Sequence, residues 1–360
     1  MKHAYAVVLA GGKGERFWPL STSRRPKQFL SLVGGEPLIS MAVERMEGLI
    51  PPEHVMIITS RDLVDATRLA VPALPTHNVI GEPVGRDTAA ACALACALVE
   101  QRDPQGVFCI LTADHVIGDL PVFQATLRAG FELAAEQDVL ITIGVRPVFA
   151  STGFGYIEAG EPVAARGGIE FLRAQRFVEK PDESTAQTYL DSGRHFWNSG
   201  MFVWSAASLR KAFASHRPQL IPLMEGVRNA RDAAAFQDML AAEYAVLRKI
   251  SVDYALMEKA DNIVMARGVF SWDDVGTWAA LENHVPANAT HNAVIGQCES
   301  VDATGNVVYS SGRLTALIGV KDLIVVQAEG ATLICPKDRA QDVRKMVQLL
   351  HDKGRYEDIL

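Results

Sequence analysis

The sequence predicts an α/β protein with a doubly wound sheet, mixed but mainly parallel, and a small β-rich domain at its C-terminal end. Three observations predict it. Apolar runs at residues 4–10, 54–59, 78–81, 107–112 and 139–145 alternate with helix-like stretches at short spacing, the pattern of strand–helix units. The first run, AYAVVLA, is apolar throughout, as a parallel strand covered on both faces must be. Near residue 286 the pattern changes to short apolar stretches separated by turn residues (AVIG, NVVYS, LTALIGV, DLIVVQA, ATLICP).

In chain order, the first run stops at Gly11-Gly12-Lys13-Gly14, where glycines let the backbone turn tightly and approach a ligand. Residues 37–49 read as a helix. The third strand runs into GEPVGRDTAAA, and Asp87 or Thr88 caps an alanine-rich helix reaching Arg102. The fourth strand ends in Ala113-Asp114-His115, and 122–136 is helical. Strands follow at 153–159, 171–180 and 196–204, with a helix at 184–192 before the last. Residues 205–259 are largely helical, broken at Pro218 and Pro222. A strand at 263–266 precedes Trp272-Asp273-Asp274-Val275-Gly276-Thr277-Trp278, which opens another helix. The expected domains are 1–286 and 287–360. The second is β-rich, with a short left-handed β-helix as its suggested form, and closes on an amphipathic helix at 340–353. In doubly wound sheets ligands lie beyond the carboxyl ends of the strands, where the glycine loop, 82–88 and Asp114 all fall.

The chain has 360 residues, 49% apolar and 21% charged, with a formal charge of −7. That balance is ordinary for a folded globular protein, and net acidity without an extended basic tract argues against nucleic acid as a partner. No apolar run reaches the roughly 18 residues of a membrane span, and the N-terminal stretch is too short and too soon glycine-rich for a secretory leader. Five cysteines without a C-x-x-C pair indicate no zinc site. Cys92 and Cys96 fall on the alanine-rich helix as small buried residues. The expected location is the cytoplasm.

Within and after the glycine loop come Lys13, Arg16, Arg24, Arg25 and Lys27, opposed only by Glu15. A strand, a loop with bare N–H groups and a cluster of cations describe a polyphosphate cradle. The P-loop pattern is absent, and the dinucleotide pattern fails at Phe17, which stands where its third glycine would be. What remains is G-G-x-G-x-R, then Trp18-Pro19-Leu20, then Arg25-Pro26-Lys27-Gln28-Phe29-Leu30. This resembles the sugar nucleotidyltransferases, and through PKQFL, FVEKP, WNSGMF and the WDDVGTW segment it resembles the bacterial mannose-1-phosphate guanylyltransferases. The resemblance runs from residue 4 to about 280. It implies a Rossmann-like fold and transfer of GMP from GTP to mannose 1-phosphate, releasing pyrophosphate. The alternatives are another sugar 1-phosphate or nucleotide, and a regulatory homologue without catalysis.

A metal for phosphates wants carboxylates, and magnesium is held by one or two of them together with phosphate oxygens and water. Asp114 is one candidate, and Asp273 or Asp274 supplies the second. The resemblance places the metal ligands at Asp114 and Asp274, the latter being the third residue of W-x-D-x-G-T. It implies a nucleotide site at Leu9, Ala10, Gly11, Gly12, Gly14, Glu15, Arg16, Lys27, Glu82, Gly85, Arg86, Asp87, Thr88 and Asp114. Glu82 or Asp87 is a sensible acceptor for the N–H donors of guanine. The chain has GRDTAAA where many of the family have Asn and Pro. On the sugar-phosphate side the resemblance implies Gly155, Tyr156, Glu179, Lys180, Asn198, Gly200 and Asp253, with Lys180 gripping the phosphate. Arg16, Lys27, Asp114, Lys180 and Asp274 are the implied catalytic set. Longer family members carry an added isomerase domain, for which this chain has no room. A single activity is therefore expected, and a homodimer through the β-rich domain.

Overall fold

The structure, a computed structural model, describes residues 2–360. These fall into two compact units that do not follow chain order. One comprises the described residues up to Gly11, Ala42–Ala113 and Ile117–Trp272, the other Gly12–Met41, Asp114–Val116 and Asp273–Leu360.

The first unit is built on a nine-stranded mixed sheet. Strands β1 (Ala4–Ala10), β2 (Val55–Ser60), β3 (Val79–Glu82) and β4 (Val107–Thr112) are parallel, with Val8 opposite Ile57 on one side and Leu111 on the other. Both faces of these strands are covered, which is why β1 and β4 read as unbroken apolar runs. Two-residue strands β5 (Val116–Ile117) and β11 (Trp272–Asp273) lie where the chain passes between units. Next come β6 (Leu140–Val145), β7 (Gly155–Arg166), β8 (Ile169–Glu179), β9 (His195–Ser205) and β10 (Ile263–Gly268). Strand β9 runs antiparallel between β4 and β6, while β10 lies parallel to β6. The β7–β8 ribbon reaches farther than the apolar stretches alone suggest. It closes at Gly167-Gly168, where both glycines take positive φ (54° and 83°) that other residues rarely adopt.

The expected 37–49 helix is shorter: α1 covers Leu38–Glu44, and the chain then turns, with Gly48 at φ 72°. Helices α2 (Val64–Ala70), α3 (Thr88–Arg102), α4 (Leu120–Glu136), α5 (Glu183–Ser192), α6 (Ala206–His216), α7 (Ile221–Asn229) and α8 (Ala233–Val246) complete the unit. Every residue of α3 from Ala89 to Val99 is buried, because one side meets the sheet and the other meets α6 and α7. Alanine and cysteine satisfy that double contact by letting the backbones approach closely. The free thiols of Cys92 and Cys96 are buried there.

The second unit carries strands β12 (Ala293–Ile295), β13 (Cys298–Val301), β14 (Val307–Ser310), β15 (Thr315–Ile318), β16 (Leu323–Ala328) and β17 (Ala331–Pro336), then helix α9 (Val343–Lys353). Strands β12, β14 and β16 stack in parallel, as do β13 and β15, and β17 closes an antiparallel hairpin on β16. Two buried asparagines join the rungs. Asn306 Nδ2 donates to Asn292 Oδ1 at 2.8 Å, and Asn306 Oδ1 accepts from the Leu323 amide at 2.9 Å. Such a ladder satisfies side chains that would otherwise be costly to bury. The core of the unit gathers Phe17, Trp18, Leu30, Trp278, Ile324 and Val347. The helix that the sequence suggested after the WDDVGTW segment is a 3-10 helix, Trp278–Asn283.

Candidate active site

The residues that the sequence singles out for chemistry fall into two groups, one in each unit. In the second unit the glycine loop leads to Gly14 in the left-handed region (φ 65°), followed by a 3-10 turn, Glu15–Phe17. Lys27 opens another 3-10 turn and is only 6% exposed. Its Nζ donates to Asp114 Oδ2 at 3.0 Å and to the Asp274 carbonyl at 2.5 Å, and lies 5.7 Å from the centre of the Phe17 ring. Gly14 permits this: a Cβ there would stand 2.7 Å from the Lys27 amide nitrogen and 3.0 Å from its Cα. The amides of Gly12, Lys13 and Gly14 find no acceptor among the described residues.

The three acids of this group differ in state. Burial pushes the Asp114 carboxyl up, but the Lys27 ammonium, His115 and a hydrogen bond from Lys27 outweigh it and hold Asp114 below the usual carboxylate range. Burial raises Asp274 to about 6, helped by the neighbouring charges of Asp273 and Asp114 and opposed by Lys27 and Arg16. Asp273 is spoken for: it accepts from the Val275 amide at 2.7 Å and Asn283 at 3.1 Å, and pairs with His284 at 2.9 Å. The Asp274 carboxylate has no such partner among the described residues, so of the two it is the one free to bind. Val275, directly after the two acids, sits at φ 44°, an uncommon state for a β-branched residue, of the kind that collects at functional sites. Arg16 reaches the Gly276 carbonyl at 3.5 Å, and its buried Nε has no acceptor among the described residues. Glu15 pairs with Arg344 of α9 at 3.5 Å.

In the first unit, Leu9 and Ala10 close β1, and the Ala10 carbonyl accepts from Thr59 at 3.0 Å. Glu82 is the last residue of β3 rather than a loop residue and is 8% exposed. Its Oε1 accepts from the Tyr244 hydroxyl at 2.9 Å, and burial lifts its carboxyl to about 7. Gly85 lies in the exposed turn that follows. Arg86 caps the end of α8, donating to the carbonyls of Tyr244 at 2.7 Å and Ala245 at 3.0 Å. Asp87 is the N-cap of α3, accepting from the Thr88 amide at 2.8 Å, and it holds φ 67°, ψ −177°, a region nearly reserved for glycine. The Thr88 hydroxyl accepts from the Val252 amide at 2.8 Å.

The residues expected on the sugar-phosphate side are also in this unit. Asn198 donates to Asp253 at 2.8 Å, and its Oδ1 accepts from the Gly200 amide at 3.2 Å. Burial raises Asp253 to about 6. Lys180 pairs with Glu179 at 2.7 Å from a backbone at φ 48°. A Cβ on Gly155 would collide with the Glu179 carboxylate, so only glycine leaves that acid its place. The Tyr156 hydroxyl is engaged by both the amide and the carbonyl of Ser151, at 2.9 and 3.0 Å, which leaves its ring as packing. Sequence reasoning missed Tyr244, Asn283, His284 and the part His115 plays beside Asp114. Of these only His115 had a signal, its place directly after Asp114.

The Nucleotidyl transferase family model matches residues 5–290, and the MannoseP isomerase/GMP-like beta-helix domain model matches 296–350. The chain belongs to the nucleotidyl transferase family. A mannose-1-phosphate guanylyltransferase of Escherichia coli K12 is 35% identical over 98% of this chain and 74% of its own length. One from Salmonella typhimurium is 36% identical over 98% and 73%. A solved structure described as a mannose-1-phosphate geranyltransferase from Thermus thermophilus superposes with a TM-score of 0.87 at 35% identity, covering 97% of this chain and 99% of that one. Within the family, the chain groups with the mannose-1-phosphate guanylyltransferases. Among the described residues no helix is long and apolar enough to cross a membrane.

Proposed function

We propose that the chain transfers GMP from GTP to α-D-mannose 1-phosphate, giving GDP-mannose and pyrophosphate. The observation that carries this reading is the buried Lys27 ammonium bound to Asp114 and to the Asp274 carbonyl, beside a glycine loop with open amides. Relatives that are mannose-1-phosphate guanylyltransferases, 35–36% identical over 98% of the chain, support this substrate pair. A phosphate monoester is mostly dianionic at neutral pH, its second pKa being about 6, so the sugar phosphate needs no general base. Its oxygen attacks the α-phosphorus; the new O–P bond forms as the bond to the β-phosphate bridging oxygen breaks, and pyrophosphate leaves with that electron pair. Arg16, Lys27 and the loop amides hold the triphosphate, and the unpaired Arg16 Nε suits an anion. Glu82 reads guanine. Lys180 positions the attacking phosphate, while Glu179, Asn198, Gly200 and Asp253 hold the sugar.

Asp114 and Asp274 fit a magnesium ion: one carboxylate is kept charged, the other is free of hydrogen bonds, and two are enough when phosphates complete the shell. Such an ion supplies neutralisation of charge on the triphosphate and the departing pyrophosphate. We further propose a catalytic domain at 1–286 and a β-rich domain at 287–360, supported by the family matches at 5–290 and 296–350. A cytoplasmic location accords with these substrates. A homodimer through the β-rich domain is supported by the cross-strand pair Val301 and Ile318, 58% and 75% exposed, and light scattering tests it.

The deciding experiment is pyrophosphate release by the purified chain with magnesium, mannose 1-phosphate and each nucleoside triphosphate in turn. Release with GTP alone supports the reading. Release with another nucleotide overturns the base assignment, and silence with all of them overturns the substrate pair.

A further inference from the structure

We infer that Tyr244, at the end of α8, is a specificity-determining positioning residue that holds the Glu82 carboxylate charged and aimed to accept from guanine. This rests on the proposed role of Glu82. Guanine offers N1–H and an exocyclic amine along one edge, so the group that reads it has to be an acceptor at both oxygens. A neutral carboxylic acid has one oxygen turned donor and fails that requirement. Glu82 is at risk of being neutral, because it is nearly buried and burial favours the uncharged form.

The groups facing it do little to offset this. Asp87 repels its charge, the Cys92 thiol is buried and uncharged, and the nearby Arg86 guanidinium is committed to the carbonyls of Tyr244 and Ala245. The Tyr244 hydroxyl is the side chain that favours the charged form, through the 2.9 Å hydrogen bond to Oε1, while Oε2 has no hydrogen bond among the described residues. It has no alternative use: Tyr244 is fully buried, and its own proton is held firmly. The same residue fixes the neighbouring turn, since its carbonyl receives Arg86 while the Arg86 carbonyl accepts from Ile250 at 3.3 Å. One tyrosine thus joins the strand end that reads the base to the loop beside it.

The test compares Tyr244→Phe with Glu82→Gln in the full chain, measuring kcat and KM for GTP and for ITP, which lacks the exocyclic amine, from pH 6 to 9. Phenylalanine keeps the ring and its packing, and circular dichroism checks folding. In the parent protein KM for GTP is expected to rise as pH falls and Glu82 takes a proton. Tyr244→Phe should move that rise to higher pH, raising KM for GTP about tenfold near neutral pH, the size of one hydrogen bond to a charged group. It should leave kcat within about twofold, penalise ITP less and recover at pH 9. A Glu82→Gln variant that loses preference for GTP beside a Tyr244→Phe variant with the parent pH profile overturns the positioning role alone. If Glu82→Gln also retains the parent preference, the base-reading role falls with it. A uniform loss by Tyr244→Phe at every pH and for both nucleotides marks a purely structural tyrosine and also overturns the inference.

Discussion

Replacing Gly14 by alanine changes no charge and removes no ligand, yet the structure gives it a large effect. The added Cβ would lie 2.7 Å from the Lys27 amide nitrogen and 3.0 Å from its Cα, and it would stand at φ 65°. Non-bonded carbons settle at about 3.5–4.0 Å, so the Lys27 backbone has to retreat by roughly 0.5–1 Å. The positive φ itself costs a non-glycine residue about 1–2 kcal/mol. Lys27 cannot retreat and keep both contacts, since Asp114 and the Asp274 carbonyl hold its ammonium at hydrogen-bond distance. A displacement of about 1 Å from productive geometry costs about 100-fold in rate. Gly14→Ala is therefore expected to lower kcat for pyrophosphate release about 100-fold, with a fall in melting temperature of a few degrees at most. The assay is continuous pyrophosphate detection at saturating substrates, with calorimetry on the same sample, where a chain of 360 residues shifts by less per kcal/mol than one of about 150–250 residues. Turnover within threefold of the parent would show that the close fit of loop and lysine does not matter to the reaction, and would refute the reasoning.

Asp274→Asn is expected to abolish turnover while stabilising the substrate-free protein at pH 8. The Asp274 carboxyl is raised from 3.8 to about 6, so keeping it ionised costs about 3 kcal/mol at most. Because the folded-state value is the higher one, protonation stabilises the fold as pH falls through 6. The advantage of the asparagine variant should therefore shrink below pH 6 and vanish near 4, and equal melting temperatures at pH 8 would count against it. Lys180→Ala should raise KM for mannose 1-phosphate about 10- to 100-fold, the value of one charge-assisted contact of about 1.5–3 kcal/mol, and leave KM for GTP within twofold. A matching change in both constants would remove Lys180 from the sugar-phosphate side. Asp114→Ala should lose turnover with the fold intact, and full activity would dismiss the metal role.

Much of this protein is written locally. A fully apolar run followed by glycines and cations can be read without knowing its neighbours, so β1, the loop, Lys27 and Asp114 were legible in the sequence. Each depends on residues within about thirty positions of one another or on the end of a strand. The alanine-rich composition of α3 announced a helix with Cys92 and Cys96 as small buried residues, while its burial on both sides emerged only from the packing. Tertiary structure alone decided the rest. Asp273 and Asp274 are adjacent acids of equal propensity, and they part only because Asn283 and His284 fold back onto the first. Nothing in the chain near Glu82 points to Tyr244, which is 162 residues away and reaches it through the packing of α8. The ionisation states followed the same division. The sequence supplies the carboxyl groups, but burial and the charge brought alongside determine that Asp114 stays ionised while Glu82 and Asp274 are raised toward neutrality. Residue type sets which chemistry is available, and the dielectric and partners that folding assembles set which of it is used.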